Sequence, residues 1–295
     1  MEVSSASQQI IADLLAEHTG QQVTESRRWR IDTALSGLFL DRGIENLDQL
    51  VCLLDQPNEV GLAQEIVEAL LNNETYFFRD KSTFDQLPTD VLPRLAKRRE
   101  QQRKISIWCA GCSTGQEAYS IAIQLCDQFK HWKGWTIDIV GTDISSKAIS
   151  AAQSGNYSQF EVQRGLGVAQ MLSHFQEQPD GWKINNETAA RVRFKRQNLL
   201  RELPSPWKFD LILCRNVMLY FDTANRHKAF AQLHRALAQD GYLMLGAGET
   251  VVGQTSMFAP SPYRASLYKP VPHQMQRRPG NHCLTARACD HMPAQ

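Results

Sequence analysis

The residues best suited to chemistry in this chain gather where small side chains follow an apolar stretch. Trp108-Cys109-Ala110-Gly111-Cys112-Ser113-Thr114-Gly115-Gln116-Glu117 comes directly after Ile105-Ser106-Ile107 and before a helical pattern. Small residues at a strand-to-helix turn let the backbone approach a ligand closely, and the helix N-terminus there favours negative charge. The strict Gly-x-Gly-x-x-Gly dinucleotide fingerprint is missing, because Gly111 and Gly115 stand four apart. A looser loop suits a nucleoside cofactor that carries no phosphate, such as S-adenosylmethionine (SAM). Asp143 ends a second apolar run, where an acidic side chain can accept hydrogen bonds from both ribose hydroxyls. NAD enzymes use the same device, so Asp143 alone leaves both cofactors open, and it could also cap the helix that follows. Asn198-Leu199 and Arg215-Asn216 follow two further strand patterns. Taken singly, a turn Asn and a surface Arg are the plainer readings; polar residues at the ends of four successive strands favour a ligand-binding edge.

Cys109 and Cys112 form a Cys-x-x-Cys that a redox pair or half of a zinc site could use. No second pair stands at ligand spacing, so two small residues in a tight loop is the plainer reading. The odd total of seven cysteines fits reduced thiols and a cytoplasmic location.

These residues need a scaffold. The periodicity of Ile10, Ile11, Leu14 and Leu15, then of Ile31, Leu35 and Leu38, predicts helices. Asn46 and Asn58 read as N-caps of two more. Pro88 and Pro93 punctuate a linker or short helix, and the basic run Lys97 to Lys104 reads as a solvated helix end. From Ile105 onward strands alternate with helices: strands at 105–108, 137–140, 192–194, 209–214 and 241–245, helices at 117–129, 146–153 and 223–238, with Phe258 and 263–268 as an edge hairpin. This alternation predicts an α/β, doubly wound, mostly parallel sheet that binds ligands at the carboxyl ends of its strands. The expected organisation is an all-helical N-terminal domain over 1–85, a linker over 86–104, a cofactor-binding domain over 105–270 and a disordered tail over 271–295. No apolar run reaches the roughly 18 residues that a membrane helix needs, and Met1 to Gln9 lacks the layout of a signal peptide. The net charge of +1 names no partner, so any acidic partner must be met by local basic clusters.

Several segments together closely resemble the CheR family of chemotaxis receptor glutamate O-methyltransferases. They are Asn73-Glu74-Thr75-Tyr76-Phe77-Phe78-Arg79, Ala110 to Glu117, Gly141-Thr142-Asp143-Ile144, Asn198-Leu199, and Phe209 to Asp222 with its core Cys214-Arg215-Asn216-Val217-Met218-Leu219-Tyr220. The likeness runs from about Ile10 to Lys269. It implies a SAM-methyltransferase (Rossmann-like) domain with a small β hairpin insertion, joined to the helical N-terminal domain. It implies cofactor contacts from Asn73, Thr75, Arg79, Glu117, Asp143, Asn198, Leu199, Arg215 and Asn216, and a part in catalysis for Arg79 and Tyr220. It implies SAM as methyl donor with S-adenosylhomocysteine as product, and no metal. The chain departs from the family at Gln116 and Ala118, where Glu and Pro are common, and at Gly246-Ala247-Gly248-Glu249, where a Ser-Glu pair is common. Residues 176–191 look short for the hairpin, which some members use to grip a peptide tether on the receptor.

A glutamate carboxylate is ionised at neutral pH and needs no general base, so positioning and partial desolvation are the enzyme's task. Arg79 can orient a carboxylate or the cofactor, and Tyr220 can offer its hydroxyl to the substrate; core packing is the plainer role of Tyr220 and Phe221. Arg27, Arg28 and Arg30 flank Trp29 near a helix start, where cations oppose the helix dipole, which hints at docking on an acidic surface. Arg191, Arg193 and Lys195 make one face of a strand basic. The partner implied is the cytoplasmic helical bundle of a chemoreceptor, met by a monomer, with no nucleic acid and no membrane insertion. The rivals are a SAM methyltransferase for another substrate, a NAD-dependent oxidoreductase, and a non-catalytic SAM-sensing scaffold.

Overall fold

The computed structural model describes residues 5–204, 208–262 and 266–272 of the 295. Helices Ser5–Thr19, Arg30–Arg42, Leu47–Leu54 and Leu62–Leu70 pack around Ile11, Ile31, Leu35, Leu50 and Ile66. Asn46 caps the third of them by accepting a hydrogen bond from the Gln49 N–H at 3.0 Å. Asn58 caps nothing: the fourth helix starts four residues later, after Gly61 at φ 108°, and Glu59 pairs with Arg42.

The main sheet has seven strands: β1 (Lys104–Ala110), β2 (Thr136–Asp143), β6 (Val192–Arg196), β7 (Phe209–Cys214), β8 (Leu237–Leu245), β9 (Phe258–Pro260) and β10 (Leu267–Pro270). Their order is β6-β2-β1-β7-β8-β10-β9; the first five are parallel and the last two add antiparallel, so the expected edge hairpin forms. Its residues 263–265 lie outside the described residues. The chain leaves β1 first to one side and later to the other, which makes the end of β1 the switch point where doubly wound sheets hold ligands. A smaller antiparallel sheet, β3 (Asn156–Tyr157), β5 (Gly181–Ile184) and β4 (Phe175–Gln178), supplies the hairpin. The stretch that looked short suffices because β4 turns into β5 through two residues, Gln178 pairing with Gly181. The third strand comes from 156–157, which carries no alternation to betray it.

The expected linker over 86–104 is not one. Leu87–Val91 is a π-helical turn, Leu92–Arg98 is α-helical, and Leu87, Val91, Leu92 and Leu95 are fully buried with Ile107 and Ile121. Pro88 and Pro93 sit in the first turns, where a missing N–H leaves no bond unmade, so they start helices instead of breaking one. Phe77, Phe78 and Phe84 bury in the same cluster, so the boundary expected at residue 85 coincides with no change of packing partner. The basic run is only partly solvated. Arg99 donates to Asp210 at 2.7 Å and to Asp240 at 2.6 and 2.7 Å, and Arg98 reaches the Tyr242 hydroxyl at 3.0 Å. Of the expected tail, Val271 still donates its N–H to the Met257 carbonyl, and residues 273–295 lie outside the described residues. Among the described residues no helix is long and apolar enough to cross a membrane.

Candidate active site

The loop after β1 is shaped by backbone that turns left-handed three times, at Gly111 (φ 76°), Ser113 (φ 50°) and Gly115 (φ 96°). A Cβ on Gly111 would stand 2.4 Å from Val217 Cγ2, so glycine lets this loop close on the one after β7. The turn aims the Ser113 N–H at Asp143 Oδ2 (2.8 Å) and the Ser113 hydroxyl at the Asn73 carbonyl (2.7 Å). Asp143 also accepts from the Ser145 N–H at 2.9 Å. It does not cap the helix Ser146–Ser154: Ser145 does, its hydroxyl accepting from the Ala148 N–H at 3.0 Å. Burial pushes the Asp143 carboxyl up, and the N–H groups of Ser145, Ser113 and Ile144 oppose that.

At the end of β7, Arg215 is held at three points. It donates to Glu117 Oε2 (2.9 Å), Asp80 Oδ2 (2.8 Å) and the Arg79 carbonyl (2.6 Å), with its side chain 2% exposed. Arg215 therefore clamps the Asn73 to Asp80 segment onto the sheet, and both of its Nη atoms bind protein acceptors. Burial raises the Glu117 carboxyl, and Arg215 pulls it back. Asn216 is left-handed at φ 59°. Glu249 pins it, accepting from the N–H groups of Asn216 (2.8 Å), Met218 (2.8 Å) and Gly246 (3.0 Å). Phe78 and Asp80 are also left-handed. Such strain persists where surroundings over-determine the backbone, and it collects at functional sites.

All of the residues singled out for cofactor or catalysis meet on one cleft, partly open to solvent. Asn73, Thr75, Arg79, Glu117, Asp143, Asn198, Leu199, Arg215, Asn216 and Tyr220 all line it. The Asn198 amide is engaged in protein bonds at both ends, donating to the His18 carbonyl (3.3 Å) and accepting from the Leu200 N–H (2.8 Å). Tyr220 lies in the 3-10 turn Met218–Tyr220, and its hydroxyl accepts from the Asn72 amide at 2.7 Å, leaving its own proton to donate. Arg79 is half-buried; it donates to the Glu74 carbonyl at 2.8 Å and lies 5.7 Å from the Tyr76 ring centre.

The three arginines near Trp29 part company. Arg27 and Arg30 line a groove that shares Tyr220 and Asn72 with the cleft, while Arg28 turns to Glu25 (2.8 Å) and Gln9 (2.6 Å). The helix starts only at Arg30, so Arg27 and Arg28 sit in the preceding turn and escape most of the dipole penalty. On the basic strand, Arg193 pairs with Asp138 at 2.7 Å and Arg191 donates to Cys126 Sγ at 3.1 Å. Cys109 and Cys112 are free thiols, fully buried, and burial pushes both well above the range where a thiolate forms.

Two acids escaped the sequence reading. Glu249 had its signal in the altered strand end Gly246-Ala247-Gly248-Glu249. Glu68, on the helix Leu62–Leu70, reaches across to the start of the helix after β2. It accepts from the Ser145 hydroxyl (2.6 Å) and from the Ser146 N–H (2.7 Å) and hydroxyl (2.6 Å). Burial works to raise its carboxyl, but these bonds outweigh it and hold Glu68 low. Gln197 also stands out: it lines the cleft, is 5% exposed, and neither amide atom has a partner among the described residues. Among the described residues no group of three or more His, Cys, Asp or Glu is placed to hold a metal.

A nucleoside cofactor fits this wall. The glycine loop permits close approach, Asp143 presents a buried carboxylate at the end of β2, and buried unpartnered polar atoms remain on Gln197 and on Arg215 Nε.

Comparison with known proteins agrees. Residues 73–266 match the family model described as CheR methyltransferase, SAM binding domain. A relative from Pseudomonas aeruginosa, chemotaxis protein methyltransferase 1, is 32% identical over 85% of this chain and 92% of its own length. Chemotaxis protein methyltransferase Cher2 of Pseudomonas putida is 32% identical over 81% of this chain and 88% of its own. The chemotaxis protein methyltransferase of Borreliella burgdorferi is 31% identical over 81% and 86%. The chain therefore belongs to the CheR methyltransferase family, SAM-dependent enzymes of chemotaxis built on a Rossmann-like sheet with a helical N-terminal region.

Proposed function

We propose that this protein transfers the methyl group of SAM to glutamate side chains on the cytoplasmic helical bundle of a chemoreceptor, forming methyl esters. The observation that carries the reading is the meeting, on one cleft, of a nucleoside-type wall with Arg79 and Tyr220.

Bound SAM supplies an electrophilic methyl on a sulfonium. Asp143, at the end of β2, would accept the ribose hydroxyls, and Asn73 and Thr75, which line the same cleft, would help to hold the cofactor. Glu117, at the start of the helix Gln116–Asp127, and Arg215 hold each other and so fix the floor. The cleft acids are engaged: Glu117 by Arg215, and Asp143 by two N–H groups. The chemistry that suits such walls is one needing no proton abstraction, which an ionised glutamate satisfies. Tyr220 can donate its hydroxyl proton to one carboxylate oxygen and leave the other to attack. Arg79 orients the incoming carboxylate from a partly exposed position, where its pull on the nucleophile is screened. Arg27 and Arg30, which line the groove beside the cleft, are the proposed docking residues, whereas Arg28 is committed to Glu25 and Gln9.

The test is titration calorimetry with S-adenosylhomocysteine on wild type and Asp143→Ala, followed by transfer of labelled methyl to receptor fragments. Wild type is expected to bind, with Asp143→Ala weaker by about 100-fold, since paired ribose contacts to a carboxylate are worth roughly 1.5–3 kcal/mol. Label on the receptor should be released as methanol by mild alkali, as from an ester. Absence of binding by folded wild type overturns the reading; binding without alkali-labile label points instead to a SAM-sensing scaffold.

A further inference from the structure

The segment that carries Arg79 stands on two supports. Arg215 holds its far end from the floor of the cleft, at the Arg79 carbonyl and Asp80. The second support comes from the small sheet. The Phe77 ring packs edge-on against Tyr157 of β3 and Phe175 of β4, with ring centres 5.1 and 5.4 Å away. The loop between helices Gln159–Gln163 and Val168–His174 closes over the same segment. Gly165 in that loop is left-handed at φ 101°, and a Cβ there would collide with the Phe77 carbonyl oxygen, so glycine is what lets the two backbones meet.

That contact brings Arg164 to the neighbours of Arg79. Arg164 donates to Glu74 Oε1 at 2.8 Å, and its guanidinium lies 4.3 Å from the Tyr76 ring centre. Arg79 donates to the Glu74 carbonyl at 2.8 Å and lies 5.7 Å from the same ring centre. Glu74 lines the cleft beside Arg79. An acid in that place competes with a substrate carboxylate, because a guanidinium pairs with either. Arg164 occupies that acid: its hydrogen bond, helped by the charges of Arg79 and Arg30, holds the Glu74 carboxyl below its ordinary value of 4.5. The pair is exposed, 40% at Arg164 and 56% at Glu74, and exposed pairs add little to stability. Its consequence therefore lies in what Arg79 is left free to bind.

We infer that Arg164 is a positioning residue for methyl transfer: reaching over from the small sheet, it occupies the Glu74 carboxylate and the Tyr76 ring and so keeps Arg79 available to the carboxylate of the substrate. This rests on the role proposed for Arg79. Removing Arg164 leaves Glu74 free to pair with Arg79, and removing the Glu74 charge as well leaves Arg79 without that competitor.

The experiment is a kinetic cycle on the full chain with labelled SAM and a receptor fragment, using wild type, Arg164→Ala, Glu74→Gln and the double variant. Arg164→Ala is expected to lower kcat about 10-fold, while KM for the receptor and S-adenosylhomocysteine affinity stay within about 2-fold of wild type. Adding Glu74→Gln to Arg164→Ala should bring kcat back to within about 3-fold of wild type. A loop that mattered only as a structural brace would behave differently: Glu74→Gln would recover nothing, and cofactor affinity would fall together with kcat. The inference is overturned if Arg164→Ala keeps the wild-type kcat, or if the double variant is no faster than Arg164→Ala. Arg79→Ala tells this failure from that of the reading beneath it. If Arg79→Ala transfers methyl as fast as wild type, the role of Arg79 fails and the inference goes with it; if wild type transfers none, the proposed reaction itself fails. Should Arg164→Ala melt well below wild type, Arg164→Gln, neutral and of similar length, takes its place in the cycle, and the same outcomes decide.

Discussion

Arginine is used in opposite ways on the floor of the cleft and at its mouth. Arg215 has its side chain 2% exposed, sits between Glu117 and Asp80, and lies 5.2 Å from the Phe84 ring centre. Arg27 and Arg30 are exposed and make no ion pair among the described residues; the Arg27 guanidinium lies 5.9 Å from the ring centre of Tyr220. The floor is an electrostatic frame whose two Nη atoms are held by protein acceptors before any ligand arrives. The mouth keeps its cations hydrated and rotatable, which suits a partner whose acidic side chains present varied geometries. Burial converts the same guanidinium from an adaptable contact into a girder.

The largest consequence falls on the floor. Arg215→Met leaves the Glu117 carboxylate buried without its counter-charge, and removing one partner of a buried pair costs roughly 3–5 kcal/mol. Urea unfolding should show that loss, together with loss of S-adenosylhomocysteine binding as the Asn73 to Asp80 segment comes free. A loss under about 1 kcal/mol, the range of exposed pairs, would place Arg215 with the mouth arginines.

Next is the seam between the helical domain and the sheet. Glu68 takes three hydrogen bonds at the N-terminus of the helix Ser146–Ser154, where the helix dipole also favours an anion. Glu68→Gln should destabilise the protein by roughly 2–3 kcal/mol at neutral pH. The folded protein holds this carboxyl below its ordinary value of 4.5, so the contribution is fully present above that value. It is lost as pH falls through the lower folded value. The gap between wild type and Glu68→Gln should therefore be constant from pH 7 down to about 5 and shrink in more acid solution, read by unfolding at each pH. A gap that instead widened on acidification would mean that burial, not hydrogen bonding, governs Glu68.

What the sequence disclosed follows the same division. The ligand-binding edge was legible because its constraints are local: glycines where the backbone must turn left-handed, an acid at a strand end, polar residues after each apolar run. The docked acids were harder to read: Glu249 was marked only by the altered strand end Gly246-Ala247-Gly248-Glu249, and Glu68 by nothing. Glu68 sits on a helix and Glu249 in a loop, and either reads as a solvated charge until the chain brings the Ser145-Ser146 turn or the Asn216 N–H against it. The segment 86–104 misled because proline opens a helix as readily as it ends one, and only the buried spacing of Leu87, Val91 and Leu95 tells which. The small sheet hid because β3 is two residues long and pairs with Trp182 and Lys183, far along the chain. Gln197 was invisible for a different reason: an unpaired amide can be recognised only when every neighbour's partner is known.

The mouth yields the smallest effect and the sharpest contrast. Exposed arginines meeting an acidic helix gain little each, since water and salt screen them. Arg27→Ala combined with Arg30→Ala should raise KM for the receptor about 5- to 10-fold, corresponding to roughly 1–1.4 kcal/mol. Because these groups lie in the adjoining groove, kcat and S-adenosylhomocysteine affinity should stay near wild type. The wild-type KM should climb with added salt while that of the double variant changes less, because the variant has already lost the screened attraction. Arg28→Ala is the internal control: its guanidinium is committed to Glu25 and Gln9, so its KM should match wild type. If Arg28→Ala raised KM as much as the double variant, the partner would be reading the total charge of the Arg27 to Arg30 turn, and the separation drawn between floor and mouth would have to be redrawn within the mouth itself.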